Sequence, residues 1–335
     1  MTNQKFKLEI AGRDLIAAIQ NFAEQASGSC FLRYGDTLVL ATAVMSDYQT
    51  KGASFFPLTV DYEERYYAAG KIRGPRYIKR ETRPSDEAIC NARLIDRAIR
   101  PLFPKGLNRE VQVVITVLSW DTQNDPDILG LIAASLALSI SDIPWQGPIS
   151  AARIGQVEGQ LTLNPTYEKR EKSSTDLVLA ATESEDILIN MLEGSFEETE
   201  EELILKSYQL AKPFLKELIN FQKEIAKEVG KEKIVLESPT IDLELEKEIR
   251  EFLGQKLEKA LFRKSGGKSK ELPDLKEELA EFIETKYQDF GKTEYAKNFF
   301  EEEVERTLQE KIIKEEIRPD GRKLDELREL RAQVG

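Results

Sequence analysis

The sequence predicts an α/β (α+β) domain with mixed β-sheets and packed helices, followed by an all-α domain. Three observations carry that expectation. Phe6, Leu8 and Ile10 alternate at the strand period and open a β-rich region over residues 5–62. Asp86 to Arg100 and Asp127 to Ser141 have helical spacing or helical composition between strand-like runs. Composition shifts after Val235, and from Leu243 to Ile317 almost every stretch reads as charged, amphipathic helix.

The elements follow in order. Gly12-Arg13-Asp14 is a turn, and Ile16 to Ala26 suits either a helix or a further strand. Gly28 to Tyr34 and Thr37 to Met45 are strands around a Gly35-Asp36 hairpin signal, and Phe55 to Tyr62 is another strand. Residues 63–84, punctuated by Gly70, Gly74, Pro75 and Pro84, read as a long loop. Ser85 then offers an N-cap with Asp86 and Glu87 in the first turn, and Pro101 ends the helix. Glu110 to Trp120 is β-branched and alternating, hence a strand, and Asp127 to Ser141 is a buried helix.

Ile149 to Val157 and Gln160 to Leu163 form a hairpin around Glu158-Gly159. Asp176 to Thr182 and Ile187 to Leu192 are strands, and Thr199 to Val229 is a long amphipathic helix. Glu237-Ser238-Pro239-Thr240 reads as a linker, and Ser265-Gly266-Gly267-Lys268-Ser269 breaks the helical region in two. Arg318 to Leu324 is a turn of new polarity, and Gly321-Arg322-Lys323-Leu324 echoes Gly12-Arg13-Asp14-Leu15. The expected organisation is therefore an α/β domain over 1–235, an all-helical domain over 236–316, and over 317–335 the start of a truncated second copy of the first domain.

Composition narrows the chemistry. The chain of 335 residues contains no histidine, which removes Ser-His and Cys-His nucleophiles and a common zinc ligand. No run of about 18 apolar residues predicts a membrane span, and the N-terminus has no apolar signal core. Cys30 and Cys90 have no metal-type spacing, which fits a reducing, cytoplasmic location. Net charge is −12, yet residues 71–109 hold eleven Lys/Arg against four Asp/Glu. One basic block in an acidic chain points to a placed anion-binding surface.

Several long motifs resemble those of one family. Gly28-Ser-Cys-Phe-Leu-Arg-Tyr-Gly-Asp-Thr-Leu-Val-Leu-Ala-Thr-Ala43 is similar to the opening hairpin of RNase PH-fold proteins. Phe55-Phe-Pro-Leu-Thr-Val-Asp-Tyr-Glu-Glu-Arg65, Ala68-Ala-Gly-Lys-Ile72 and Ala92-Arg-Leu-Ile-Asp-Arg-Ala-Ile-Arg-Pro-Leu-Phe-Pro104 resemble bacterial polynucleotide phosphorylases. Asn124-Asp-Pro-Asp127, Gly147-Pro148, Leu163-Asn-Pro-Thr166 and Ile317-Arg-Pro-Asp-Gly-Arg322 extend the match in order to near the end.

The resemblance implies a phosphorolytic 3′-to-5′ exoribonuclease that degrades single-stranded mRNA with phosphate to nucleoside diphosphates, and that also runs in reverse. It implies two RNase PH-like domains with a helical domain between them, then KH and oligonucleotide-barrel modules. It further implies a homotrimeric ring and association with an RNA-degradation complex. Phosphate as co-substrate, the catalytic carboxylates and Mg²⁺ (or Mn²⁺) belong, by that resemblance, to the second RNase PH-like domain. The present portion is then expected to supply RNA-channel and scaffold surfaces and to be inactive alone. The alternative is a stand-alone, non-catalytic RNA-binding or assembly protein.

Arg93, Arg97 and Arg100 lie within about 60° of one another on a helix, opposite Leu94, Ile95, Ala98 and Ile99. Three like charges on one face need anions, and guanidinium forks match phosphate oxygens. Pairing with Asp96, Glu87 or other carboxylates is the competing, purely structural reading. Tyr77-Ile78-Lys79-Arg80 aligns with a loop the family carries as Phe-Phe-Arg-Arg, which grips single-stranded RNA; here one ring is lost and Lys79 replaces an arginine. Arg76 and Arg83 flank it, so Arg76, Tyr77, Lys79, Arg80, Arg83, Arg93, Arg97 and Arg100 form the candidate RNA-binding set. No catalytic or metal-binding residue is expected in this chain. Asp61, Glu63 and Glu64 read as solvated acids at a hairpin edge, Asp125 and Asp127 as a turn and helix cap, and Ser265 to Ser269 as a linker.

Overall fold

The computed structural model describes residues 4–20, 22–49, 56–72, 83–235, 243–262 and 271–334. The chain divides into two compact units, Met1–Leu236 and Glu237–Gly335. The 237–240 linker, the 265–269 break, and Arg76, Tyr77, Lys79 and Arg80 lie outside the described residues.

The first unit contains two sheets. β1 (Gln4–Ile10), β2 (Arg13–Ile19), β3 (Gly28–Tyr34), β4 (Thr37–Gln49), β5 (Leu58–Glu64) and β6 (Arg109–Ser119) form one sheet in the order β1-β2-β3-β4-β6-β5. β7 (Ser150–Val157), β8 (Gln160–Leu163), β9 (Thr175–Glu183) and β10 (Ile187–Phe196) form the other, ordered β10-β9-β7-β8. The first sheet is mixed because β5 runs parallel to β6 while its other pairings are antiparallel, and the second sheet is antiparallel throughout. Of the ambiguous segment from Ile16 to Ala26, the part to Ile19 is strand, where pairing with β1 on one side and β3 on the other supplies hydrogen bonds that local sequence does not reveal, and residues 22–26 run through turns and a bend.

The hairpin at Gly35-Asp36 is present, with Tyr34 paired to Thr37. Gly35 takes φ 61 at the first position of a two-residue turn, where a side chain is strained. A Cβ there would also meet Asn124 Nδ2 at 2.4 Å.

α1 (Asp86–Ile99), α2 (Pro126–Ile140), the single turn α3 (Tyr167–Arg170) and α4 (Glu201–Val229) pack on the sheets. α2 is buried almost all round, with Leu131, Ala133, Ala134, Leu136 and Leu138 fully enclosed. It shares one core with Leu32, Val39 and Ala41 of the first sheet and with Ala151 of the second. α4 covers β7 and β9 through Ala211, Leu215 and Ile219.

Three expectations change. The start of the 63–84 stretch is structured: β5 continues to Glu64, and Tyr66–Ala69 forms a 3₁₀ turn. Asp61, Glu63 and Glu64 sit on an edge strand parallel to its neighbour, not on a hairpin edge. Their carboxylates are engaged: Asp61 accepts from Gln112 at 2.9 Å, Glu63 pairs with Arg65, and Glu64 accepts from Ser85. The helical region contains a further break, at Gln288 with φ 50.

The second unit comprises α5 (Leu243–Leu261), α6 (Glu271–Tyr287) and α7 (Phe290–Glu315). Its core is built from Ile249, Leu253, Leu279, Ile283, Ala296 and Phe300. Nearly buried Glu303 is balanced by Arg250, at 3.0 Å, and Arg306. Gly254 takes φ 37 and ψ −129 and kinks α5.

Candidate nucleic-acid interface

α1 starts where its sequence says it should. The Ser85 hydroxyl accepts the Ala88 N–H at 3.0 Å, a cap worth about 1 kcal/mol. The same hydroxyl donates to Glu64 Oε2 at 2.9 Å, which ties the start of α1 to the end of β5. Ala88, Leu94, Ile95, Ala98 and Ile99 face the core, leaving Cys90, Arg93 and Arg97 on the exposed face. Arg100 N–H bonds Asp96 O, and Pro101 in the next 3₁₀ turn stops the helix.

The three arginines have different surroundings. Arg93 is exposed and makes no ion pair among the described residues. Arg97 Nη1 lies 3.0 Å from Glu193 Oε2 on β10, both side chains about half-exposed. Arg100 holds the Asp96 carboxylate at 3.1 and 2.7 Å and donates to the carbonyls of Phe56 and Leu58 at 3.1 and 3.2 Å. Its guanidinium also lies 5.7 Å from the Phe56 ring. Every direction of that fork is used to lock α1 against the strand beneath it. Arg83 is exposed two residues before the cap.

A second polar cluster, unread in the sequence, sits at the start of α2. Asp125 caps the helix, its carboxylate accepting the Asp127 N–H at 3.4 Å. Arg153, from β7, donates to buried Asp127, chelates Asp176 at 2.8 and 2.7 Å, and places Nε 3.3 Å from Asp125. Arg170 bonds both Asp125 and Asp176, the latter at 3.0 Å, and the Tyr167 hydroxyl donates to Asp125 at 3.2 Å. Burial and the neighbouring Asp125 push the Asp127 carboxyl well up, while Arg153 pulls against them. The cap reading of Asp125 holds; the missed partners of Asp125 and Asp127 come from elements 26 to 45 residues downstream. A single arginine in the otherwise neutral run Ser150–Val157 was the available signal, since a buried charge demands partners.

This cluster offers no open anion site, because three carboxylates already engage its two guanidiniums. Nor does it suit a divalent metal: among the described residues no group of three or more His, Cys, Asp or Glu side chains is placed to hold one. No described helix is long and apolar enough to cross a membrane.

Two sequence models match in succession: 3′ exoribonuclease family, domain 1, over residues 11–144, and 3′ exoribonuclease family, domain 2, over residues 147–212. The chain is 43% identical over 333 residues to a polyribonucleotide nucleotidyltransferase of Heliobacterium modesticaldum, covering 99% of this chain and 46% of that protein. A polyribonucleotide nucleotidyltransferase of Geobacillus kaustophilus is 44% identical over 333 residues, covering 98% of this chain and 45% of the relative. One from Pseudothermotoga lettingae is 43% identical over 335 residues, with 98% and 47% covered. The chain spans about half the length of the curated relatives it matches.

Proposed function

The chain belongs to the 3′ exoribonuclease family, and from that premise we propose that it works as the RNA-guiding portion of a polyribonucleotide nucleotidyltransferase. In that activity an oxygen of inorganic phosphate attacks the phosphorus of the terminal phosphodiester of single-stranded RNA. The bond from phosphorus to the 3′ oxygen of the preceding nucleotide breaks, that oxygen takes a proton, and a nucleoside 5′-diphosphate leaves. A phosphodiester bond is exchanged for the phosphoanhydride bond of the diphosphate, and the same exchange run backwards lengthens the chain. A divalent metal, Mg²⁺ or Mn²⁺, stabilises the charge at phosphorus and belongs with the chemistry outside this portion.

The observation that carries the reading is the outer face of α1. Arg93 is exposed without a carboxylate partner among the described residues, Arg97 is only half-screened by Glu193, and Arg83 stands exposed at the foot of the helix. These groups hold backbone phosphates, which positions the strand without reading its sequence. Arg76, Tyr77, Lys79 and Arg80, which precede Arg83 in the sequence and lie outside the described residues, complete the proposed RNA-binding set. Arg100 belongs to the candidate set through its neighbours, but its contacts give it the role of holding α1 in place.

The saturated cluster at Arg153 favours a non-catalytic role for this unit, whether inside a longer enzyme or as a stand-alone RNA-binding or assembly protein. Residues 236–316 are then the helical spacer and 317–335 the entry to a second RNase PH-like domain. Three copies assembling into a ring, association with RNA-degradation partners and a cytoplasmic setting complete the proposal.

Binding of labelled oligo(A) over a salt series tests it. The expected result is weak binding that falls as salt rises and is reduced by joint replacement of Arg93 and Arg97 with alanine. Nucleoside diphosphate release by this chain at the rate of a full-length relative would overturn the non-catalytic assignment.

A further inference from the structure

We propose that Asp125 and Asp127 share a single proton in the folded chain, held on the Asp127 carboxyl, and that its loss loosens the clasp joining the first turn of α2 to β7, β9 and α3. The geometry carries this through a balance of charges. Asp125, Asp127 and Asp176 meet Arg153 and Arg170, three carboxylates against two guanidiniums, and no other Lys or Arg among the described residues pairs with any of the three. Asp127 is 5% and Arg153 6% exposed, so little water is present to hold the excess negative charge. Two buried acids side by side, with one charge too many, take up a proton instead.

The hydrogen bonds decide which acid keeps it. The Asp125 carboxylate accepts from the Tyr167 hydroxyl at 3.2 Å, from the Asp127 N–H at 3.4 Å and from Arg170. Asp127 accepts only from Arg153 and the Ile128 N–H. Asp125 is the better supported anion, and Asp127, within hydrogen-bonding reach of it, donates the proton to it. Burial and the neighbouring Asp125 accordingly hold the Asp127 carboxyl well above the usual range, against the pull of Arg153.

The remaining neighbours leave the balance unchanged. Tyr34 on β3, Tyr62 on β5 and Tyr167 on α3 stay neutral, because burial raises all three hydroxyls. Arg13 and Asp121, which both engage the Asn124 side chain just before the pair, offset each other.

The unfolded chain releases this proton near pH 4 and the folded chain only well above that, so folding takes up a proton at neutral pH. Stability therefore falls as pH rises above about 4, until Asp127 ionises in the folded chain, and is level beyond.

Infrared spectra of the parent chain, Asp127→Asn and Asp125→Asn test the shared proton, and urea unfolding over a pH series tests the clasp. The parent should show the C=O band of a protonated carboxyl at about pH 6, where exposed acids are ionised. Either variant leaves two carboxylates to two guanidiniums and should lose the band. Glu303, also nearly buried, does not contribute: burial raises its carboxyl, but hydrogen bonds from Arg306 and Arg250 outweigh it and hold it below the usual range. Between about pH 5 and about pH 7 the folding constant of the parent should fall relative to Asp127→Asn by up to about tenfold per pH unit, the slope for one bound proton. Absence of the band from the parent overturns the shared proton whether or not either variant folds, as does a band that survives in Asp127→Asn. Parallel pH profiles for the parent and Asp127→Asn would overturn the clasp.

Discussion

Arg97 on α1 and Glu193 on β10 share an ion pair at 3.0 Å, so an incoming phosphate competes with a carboxylate at Arg97 but with none among the described residues at Arg93. Exposed pairs of this kind contribute only about 0.2–1 kcal/mol. Glu193→Gln is therefore expected to raise oligo(A) affinity at low salt, by up to about fivefold. Arg93→Ala is expected to lower affinity and to reduce the slope of log affinity against log salt by about one. A fluorescence-anisotropy salt titration of the two variants reads both effects.

Arg100 should behave differently. Arg100→Ala strips Asp96 and the Phe56 and Leu58 carbonyls of a shared charged donor, at a cost of about 2 kcal/mol, or about 4–8 °C in Tm for a unit of this size. The salt slope for oligo(A) should stay at the parent value. A lower slope with an unchanged Tm would reverse the assignment and make Arg100 an RNA contact.

Arg153→Met should be the most damaging of these changes. It leaves Asp127 buried beside Asp125 without its guanidinium, a situation that costs about 3–5 kcal/mol. Urea unfolding of Arg153→Met and of Arg153→Met/Asp127→Leu separates lost packing from unpaired charge. The double variant is expected to recover much of the loss.

Acid stability should depend on Asp121. Burial raises its carboxyl, but hydrogen bonds from Asn124, Gln123 and the Asp36 N–H outweigh it and bring the pKa down to about 2. The folded value lies below the unfolded one, so the unfolded state binds more protons as pH falls from about 4 towards about 2. Stability present above about pH 4 is lost across that window. Asp121→Asn should show a flatter decline there, read as Tm against pH.

Cys90 provides a footprint of the interface. Its thiol is exposed on the face that carries Arg93 and Arg97, while Cys30 is buried and burial pushes its thiol up to about 12. One thiol is expected to react with maleimide in the native chain and two after denaturation. Saturating oligo(A) should slow the Cys90 reaction; an unchanged rate would place the RNA elsewhere.

The parts of this protein that its sequence determined are those settled within a few residues. Ser85 reads as a cap because its hydroxyl reaches the Ala88 N–H one turn away, and Pro101 reads as a stop because it has no N–H to give. Gly35-Asp36 reads as a hairpin because a positive φ is cheap only for glycine, and the long family-like motifs carry the fold class with them. Tertiary structure decided the rest. Periodicity places Arg93, Arg97 and Arg100 on one face, but only the fold sets β10 beside Arg97 and the Phe56 and Leu58 carbonyls beneath Arg100. Strand character after Ile16 came from pairing with β1 and β3, and the partners of Asp127 came from β7. A charge takes its role from the oppositely charged or polar group that folding brings within about 3 Å, and for Arg97, Arg153 and Asp127 that group comes from a distant part of the chain.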